Sequence, residues 1–311
     1  MEVGGQAVAL KRSSALVFAA LTLICSSAPA GAKPSETARR TVKWGRLTLS
    51  LPAQIAPGQA FSLRFSGRGA PLVRVRFPLE GFETLNSSLE TTQGVKTVQS
   101  VKRSFVLGHA RLEDRGPIAL ELISQFEILK LSIPLEVRTQ TVQQLGFGEA
   151  EFLDINKNRA FEDFKLAKIY AVRSPRAWTA PFAAAARGRV TSPFGTPRQY
   201  TPVTPISYHT GIDYGSPGGT PIYAVNNGEV AFVGKYVVRG NITVLNHGLG
   251  VYTAYLHQSK VLVRVGQKVA RGQKIGEVGT TGLSTAPHLH LEFRLRGVAV
   301  SPLEWTGAET P

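Results

Sequence analysis

Apolar residues in this chain recur at every second position in short runs, and that period restricts its folds more than any other feature. Leu47-Thr48-Leu49-Ser50-Leu51, Ala60 to Phe65, Leu72 to Phe77, Ser104 to Leu107, Ile118 to Leu122 and Leu129 to Ile133 all follow it. A strand points successive side chains to opposite faces, so this alternation places one face in a core and the other in water. Turn formers such as Pro57-Gly58-Gln59 separate the runs. The pattern predicts an antiparallel, sandwich-like β module over residues 42–140. Arg74 and Arg76 share the face opposite Val73, Val75 and Phe77, which reads as a solvated face.

Residues 141–187 are more polar and less regular, and read as a linker with a short helix near Ala160 to Tyr170. Asp154-Ile155-Asn156-Lys157-Asn158 opens like a calcium loop. Arg159 replaces the glycine of its sharp turn, and Lys165 stands where a bidentate glutamate is needed. A linker turn or helix cap is the expected structure there. From Gly188 the chain returns to short β segments rich in glycine: Glu229 to Val233, Asn241 to Leu245, Val251 to Tyr255 and Val261 to Val265. Val244 to Val251 reads as a hairpin, and Gly266-Gln267-Lys268-Val269 with Gly272-Gln273-Lys274-Ile275 as a small duplicated turn. The fold class expected is all-β, with a second compact antiparallel domain over 188–305. At 311 residues the chain can bury two such cores.

The formal charge of +15 implies an anionic partner or surface. Residues 33–187 carry 23 basic against 14 acidic side chains, and residues 188–311 carry 11 against 6. A charge spread over both halves fits anionic cell-envelope polymers better than a sequence-reading nucleic-acid patch. No stretch interleaves aromatic residues with clustered basic ones. Lys11-Arg12, an apolar run from about Ala15 to Cys25, and Ala28-Pro29-Ala30-Gly31-Ala32 form an export signal over residues 1–32. The run is shorter than the roughly 20 residues a bilayer demands. Cys25, the only cysteine, would leave with that signal, which removes thiol nucleophiles and cysteine-held zinc from consideration.

Four of the six histidines fall in three strings: Tyr208-His209-Thr210-Gly211-Ile212-Asp213, Tyr255-Leu256-His257 and His288-Leu289-His290. Imidazole and carboxylate are ligands that zinc accepts, and a catalytic zinc keeps three protein ligands and one open position. On a strand His288 and His290 share a face, able to offer one ligand and one acid–base group, and Glu292 continues that face as a group that could orient a ring N–H. No His-Glu-x-x-His string occurs, so the helix-borne protease plan is absent. His247 and His109 read as ordinary hydrogen-bonded core histidines.

Ser192-Pro193-Phe194-Gly195, His209 to Tyr214, Gly218-Gly219-Thr220-Pro221-Ile222, Tyr255-Leu256-His257 and Gly279 to Glu292 together resemble successive blocks of the lysostaphin/LytM-type zinc metallopeptidases. The resemblance covers about residues 188–305. Ala286 stands where glycine is frequent in that family, and Leu291 where phenylalanine is. It implies one zinc ion per chain held by His209, Asp213 and His290, with His257 and His288 as catalytic histidines. It also implies hydrolysis of peptide bonds in peptidoglycan cross-links or bridges, using metal-activated water and the two histidines. Degenerate relatives act instead as inactive wall-binding or regulatory modules. The compartment implied is periplasm, cell wall or extracellular space. Tyr200 and Tyr208 are candidate oxyanion donors, although tyrosines in turns more often serve packing.

Overall fold

A computed structural model describes residues 38–67, 73–78, 82–85, 104–124, 127–137 and 140–305. The export-signal reading of residues 1–32, Cys25 included, lies outside them. In chain order the first strands are β1 (Arg39–Trp44), β2 (Leu47–Pro52), β3 (Ala60–Gly67), β4 (Arg74–Phe77), β5 (Phe82–Leu85), β6 (Ser104–His109), β7 (Ile118–Ile123) and β8 (Ile128–Ile133). They form two antiparallel four-stranded sheets, ordered β1-β2-β3-β6 and β5-β4-β7-β8. Leu49, Leu51, Leu63 and Phe65 of one sheet share a core with Val75, Phe77, Leu120 and Leu122 of the other. Each pair is spaced by two, so the alternation alone decides which side chains go inside. On the outer face of β4, Arg76 pairs with Glu121 of β7.

The remaining strands are β9 (Gln143–Gln144), β10 (Arg189–Ser192), β11 (Pro197–Gln199), β12 (Ser207–Tyr208), β13 (Ile212–Gly215), β14 (Pro221–Tyr223), β15 (Gly228–Tyr236), β16 (Gly240–Gly248), β17 (Val251–Gln258), β18 (Lys260–Val261), β19 (Lys268–Val269), β20 (Lys274–Glu277), β21 (His288–Leu295) and β22 (Val298–Val300). The main sheet runs β10-β13-β21-β17-β16-β15-β19, with β22 paired to β21, and is antiparallel throughout. Strand β17 is buried along its whole length because both faces of the sheet are covered. Tyr255, Leu291 and Phe293 enter a core closed by Trp178, Phe182 and Trp305. On the other face Tyr252, Ala254 and Leu256 meet a single helix, α1 (Glu149–Tyr170), through Leu166 and Tyr170.

Three expectations change. The helix is neither short nor a detached linker element: it has 22 residues and packs on the sheet. Asp154 to Asn158 lie inside α1, neither in a turn nor at a cap. Glu149 and Glu151 in the first turn suit the positive end of the helix dipole there. The buried stripe is Ile155, Glu162, Leu166 and Tyr170, one of which is charged, while Leu153, Phe161 and Phe164 face water. That inversion hides the helix from a search for apolar periodicity. Third, only the beginning of Val261 to Val265 is strand, in β18. The duplicated turn is present: the Arg264 and Ala270 amides each donate to the glutamine side chain three residues on, Gln267 and Gln273.

Candidate metal centre

Three neighbouring strands bring the histidine strings together. β13 and β21 pair with Asp213 opposite His290 and Gly215 opposite His288. β17 lies on the other side of β21, with Leu256 opposite His290, and His257 follows at the end of that ladder. His209 sits in the short connection between β12 and β13. Gly211 is what lets this connection lie so close, since a Cβ there would sit 2.5 Å from His290 Nε2 and 2.6 Å from the Leu291 carbonyl oxygen.

His209 Nε2, His290 Nδ1 and Asp213 Oδ1 converge on one point. The separations are 3.0 Å between the two nitrogens, 2.8 Å from His290 to Asp213 and 3.2 Å from His209 to Asp213. A four-coordinate cation with bonds of about 2.0–2.1 Å holds its ligand atoms about 3.3 Å apart, so this donor set fits one. The opposite ring nitrogens have acceptors of their own. His209 Nδ1 lies 2.9 Å from the Pro193 carbonyl, and His290 Nε2 lies 3.4 Å from Glu292 Oε1. A proton on each of those nitrogens leaves the converging nitrogens with free lone pairs, the arrangement a metal-binding imidazole needs.

His257 and His288 stand beside this triplet with ring centres 4.8 Å apart. His257 Nδ1 lies 2.8 Å from the Thr281 carbonyl, and His288 Nδ1 lies 2.8 Å from the Ala286 carbonyl. Both therefore present Nε2, and that of His288 is 3.8 Å from Asp213 Oδ1. His257 has φ of 60°, a left-handed conformation that costs a non-glycine residue about 1–3 kcal/mol. Its amide bond to the Arg239 carbonyl, at 3.1 Å, and its ring bond to Thr281 hold it there.

Buried charge surrounds these groups. Glu292 receives the Thr210 hydroxyl at 2.8 Å and the Arg294 guanidinium at 2.9 and 2.8 Å. Burial favours a proton on Glu292, but Arg294 and His290 outweigh it and hold the carboxyl well below its usual range. Asp213 behaves alike: burial opposes its charge, and the bonds from His209 and His290 overcome that and lower its pKa. For His290 burial works against protonation, yet Asp213 and Glu292 prevail and raise its pKa. The negative charge that does so is the charge a divalent cation would neutralise. Burial pushes His209 down and His257 down to about 3, so the His257 ring is a neutral base.

Residues that sequence reasoning did not single out complete the frame. Arg198 donates to Ser192 at 2.8 Å and lies 3.6 Å from Asp213 Oδ2. Glu162 of α1 accepts the Val238 and Arg239 amides at 2.7 and 3.3 Å, and the Arg239 guanidinium at 2.9 Å. It thereby fastens α1 to the backbone that holds His257. The one sequence signal for Glu162 is its place in the stripe spaced 7, 4 and 4 along α1. Both tyrosine hydroxyls meet arginines: Tyr200 accepts from Arg159 at 2.6 Å while packing between Phe147 and Phe152, and Tyr208 accepts from Arg115 at 2.5 Å. His247 is a core residue between the Asn227 carbonyl and the Thr253 hydroxyl. His109 is buried at the end of β6, away from the centre, and burial with Arg296 and Arg111 lowers its pKa to about 3.

A nearly all-β fold with one convergent His-Asp-His site among the described residues is thus the class defined by fold and site. Residues 207–302 match the model of Peptidase family M23. Peptidoglycan DD-endopeptidase ShyA of Vibrio cholerae is 44% identical over 117 residues, 37% of this chain and 27% of ShyA. DD-carboxypeptidase/endopeptidase Mpg of Neisseria meningitidis serogroup B is 43% identical over 115 residues, 37% of this chain and 26% of Mpg. The match thus spans about a quarter of the length of these relatives. A crystal structure of a Pseudomonas aeruginosa protein assigned to peptidase M23 superposes with a TM-score of 0.54 at 24% identity, covering 82% of this chain and 95% of that one. It shows the same fold. Among the described residues no helix is long and apolar enough to cross a membrane.

Proposed function

We propose that this protein is an exported zinc-dependent endopeptidase that hydrolyses peptide bonds in peptidoglycan cross-links or bridges. His209, Asp213 and His290 hold the metal, one ion per chain, and His257 and His288 move protons. The convergence of His209 Nε2, Asp213 Oδ1 and His290 Nδ1, with a second histidine pair beside it, carries this reading. When bound, zinc supplies Lewis-acid polarisation of the scissile carbonyl and a source of nucleophilic water at neutral pH.

The chain's own groups do the rest. Pro193 and Glu292 keep the two ligand rings turned with their lone pairs toward the metal. His257 is neutral, and Thr281 holds its Nδ1, so its Nε2 can take a proton from water. His288, held by Ala286, presents the second Nε2, and the pair can return a proton to the leaving amine. Tyr200 and Tyr208 each accept a bond from an arginine, which leaves the phenolic O–H available to donate to a developing oxyanion. The names of the ShyA and Mpg relatives support peptidoglycan as substrate. The basic charge suits retention on anionic envelope polymers.

Digestion of purified peptidoglycan by the full chain, with and without chelator, tests the proposal. Mass analysis is expected to find peptide cross-links opened only without chelator. Binding to the wall with no chelator-sensitive cleavage of any wall type would turn the reading to an inactive wall-binding module.

A further inference from the structure

A cavity of about 740 Å³ opens from the metal centre and runs under α1. His209, His257 and His290 form part of its wall, and α1 contributes Arg159, Asp163 and Tyr170. Six arginines line it against two carboxylates, Asp163 and Glu292. Counting Glu162 and Asp213, which lie behind the wall, four negative charges still face six positive ones. The inner arginines are matched: Arg239 by Glu162 and Asp163, Arg294 by Glu292. Arg198 lies 3.6 Å from Asp213 Oδ2, and two others donate to neutral oxygens in this structure. Arg159 reaches the Tyr200 hydroxyl, and Arg173 the carbonyls of Tyr170 and Ala171 at 2.8 and 3.0 Å. Arg159 and Arg173 therefore bring positive charge to the cavity wall through bonds to neutral oxygens alone.

Two buried donors point to what the cavity takes. Tyr170 is 5% exposed and Arg239 6% exposed, both line the cavity, and Tyr170 Oη and Arg239 Nε have no hydrogen-bond partner. Buried donors without acceptors are rare in a folded protein. The Tyr170 ring is fixed by an edge contact with Tyr252 at 5.3 Å and by Arg294 stacked over it at 5.7 Å. Its hydroxyl is thus presented at a set position. Donors of this kind, in positively charged surroundings, suit an acceptor that carries negative charge.

We propose that this cavity is a substrate subsite for a carboxylate on the peptide being cleaved, received by Tyr170 Oη and Arg239 Nε and drawn in by Arg159 and Arg173. The proposal rests on the endopeptidase reading and names the substrate chemistry of that same centre. The subsite selects acidic peptide stems by charge, and it belongs to α1 as much as to the strands. Residues 149–170 lie outside the segment matched by the family model, whereas Arg239 lies within it.

The test uses a soluble cross-linked peptide dimer released from purified peptidoglycan, in its free-carboxylate form and after chemical amidation. Binding to full-length His257→Ala and cleavage by the full-length unsubstituted protein are measured separately. The free-carboxylate dimer is expected to bind about tenfold more tightly than the amidated one, as one charge-assisted hydrogen bond allows. Tyr170→Phe and Arg173→Gln should raise KM for the free-carboxylate dimer, leave kcat in place, and leave the amidated dimer unaffected. Because the Tyr170 hydroxyl has no partner, a purely structural role predicts no change in either substrate for Tyr170→Phe. Equal binding of the two dimers, binding of neither, or equal losses on both would overturn the subsite. Carboxylate-dependent binding without cleavage would keep the subsite and remove the endopeptidase reading; cleavage of both dimers with equal efficiency would do the reverse.

Discussion

The two β regions bury their side chains by different rules. In the sandwich of β1 to β8, residues such as Leu63, Val75, Phe77 and Leu120 fill an apolar core, and the charges of β4 and β7 pair on the outside. The main sheet of the second region encloses His209, Asp213, Glu162, His257, His290, Arg239 and Glu292. Burying charge is unfavourable unless each group finds partners, and here each carboxylate does. The first region buries mainly apolar side chains, whereas the second gives up part of its stability to hold charged groups in fixed positions.

The largest effect is expected at the triplet. Asp213→Ala should abolish metal binding and hydrolysis together; a variant that retains one equivalent of metal by elemental analysis would break the proposed ligand set. Next comes His257→Ala, which should keep its metal and lose about 10²–10⁴ in kcat. Turnover near that of the unsubstituted protein would show that the pair does not move protons.

The smallest and most discriminating contrast pairs one substitution from each region. Leu63→Ala should cost about 2–5 kcal/mol of unfolding free energy through loss of packing, with metal affinity and kcat unchanged. Glu162→Ala, which leaves the Arg239 charge to Asp163 alone, should cost about 3 kcal/mol. It should also lower kcat about tenfold, because the Val238–Arg239 backbone that positions His257 loses its anchor. Equal kcat in the two variants by steady-state kinetics would mean that α1 supports the fold and not the site.

Much of the site was legible in the sequence because it lies on strands. A period of two places His288, His290 and Glu292 on one face without any tertiary information, and the antiparallel register then sets His290 opposite Asp213. The helix was legible only in its second half. Its inward stripe includes Glu162, and its outward face carries Leu153, Phe161 and Phe164, so polarity pointed the wrong way. Arg198 had no signature, and Glu162 had only its place in the stripe of α1, for their partners lie 15 and 77 positions away.

By itself, then, the sequence determined the β architecture, the strand faces and the presence of a His and Asp donor set, since these follow from residue type and period. Only the tertiary structure decided which nitrogen of each ring faces the common point. That choice rests with the Pro193, Thr281 and Ala286 carbonyls and the Glu292 carboxylate. It also decided that α1 forms one wall of the cavity, with Tyr170 of α1 and Arg239 among the residues that line it. Hydrogen bonds between distant segments have directions that no local period encodes, and they are made only when the sheets and helix have packed.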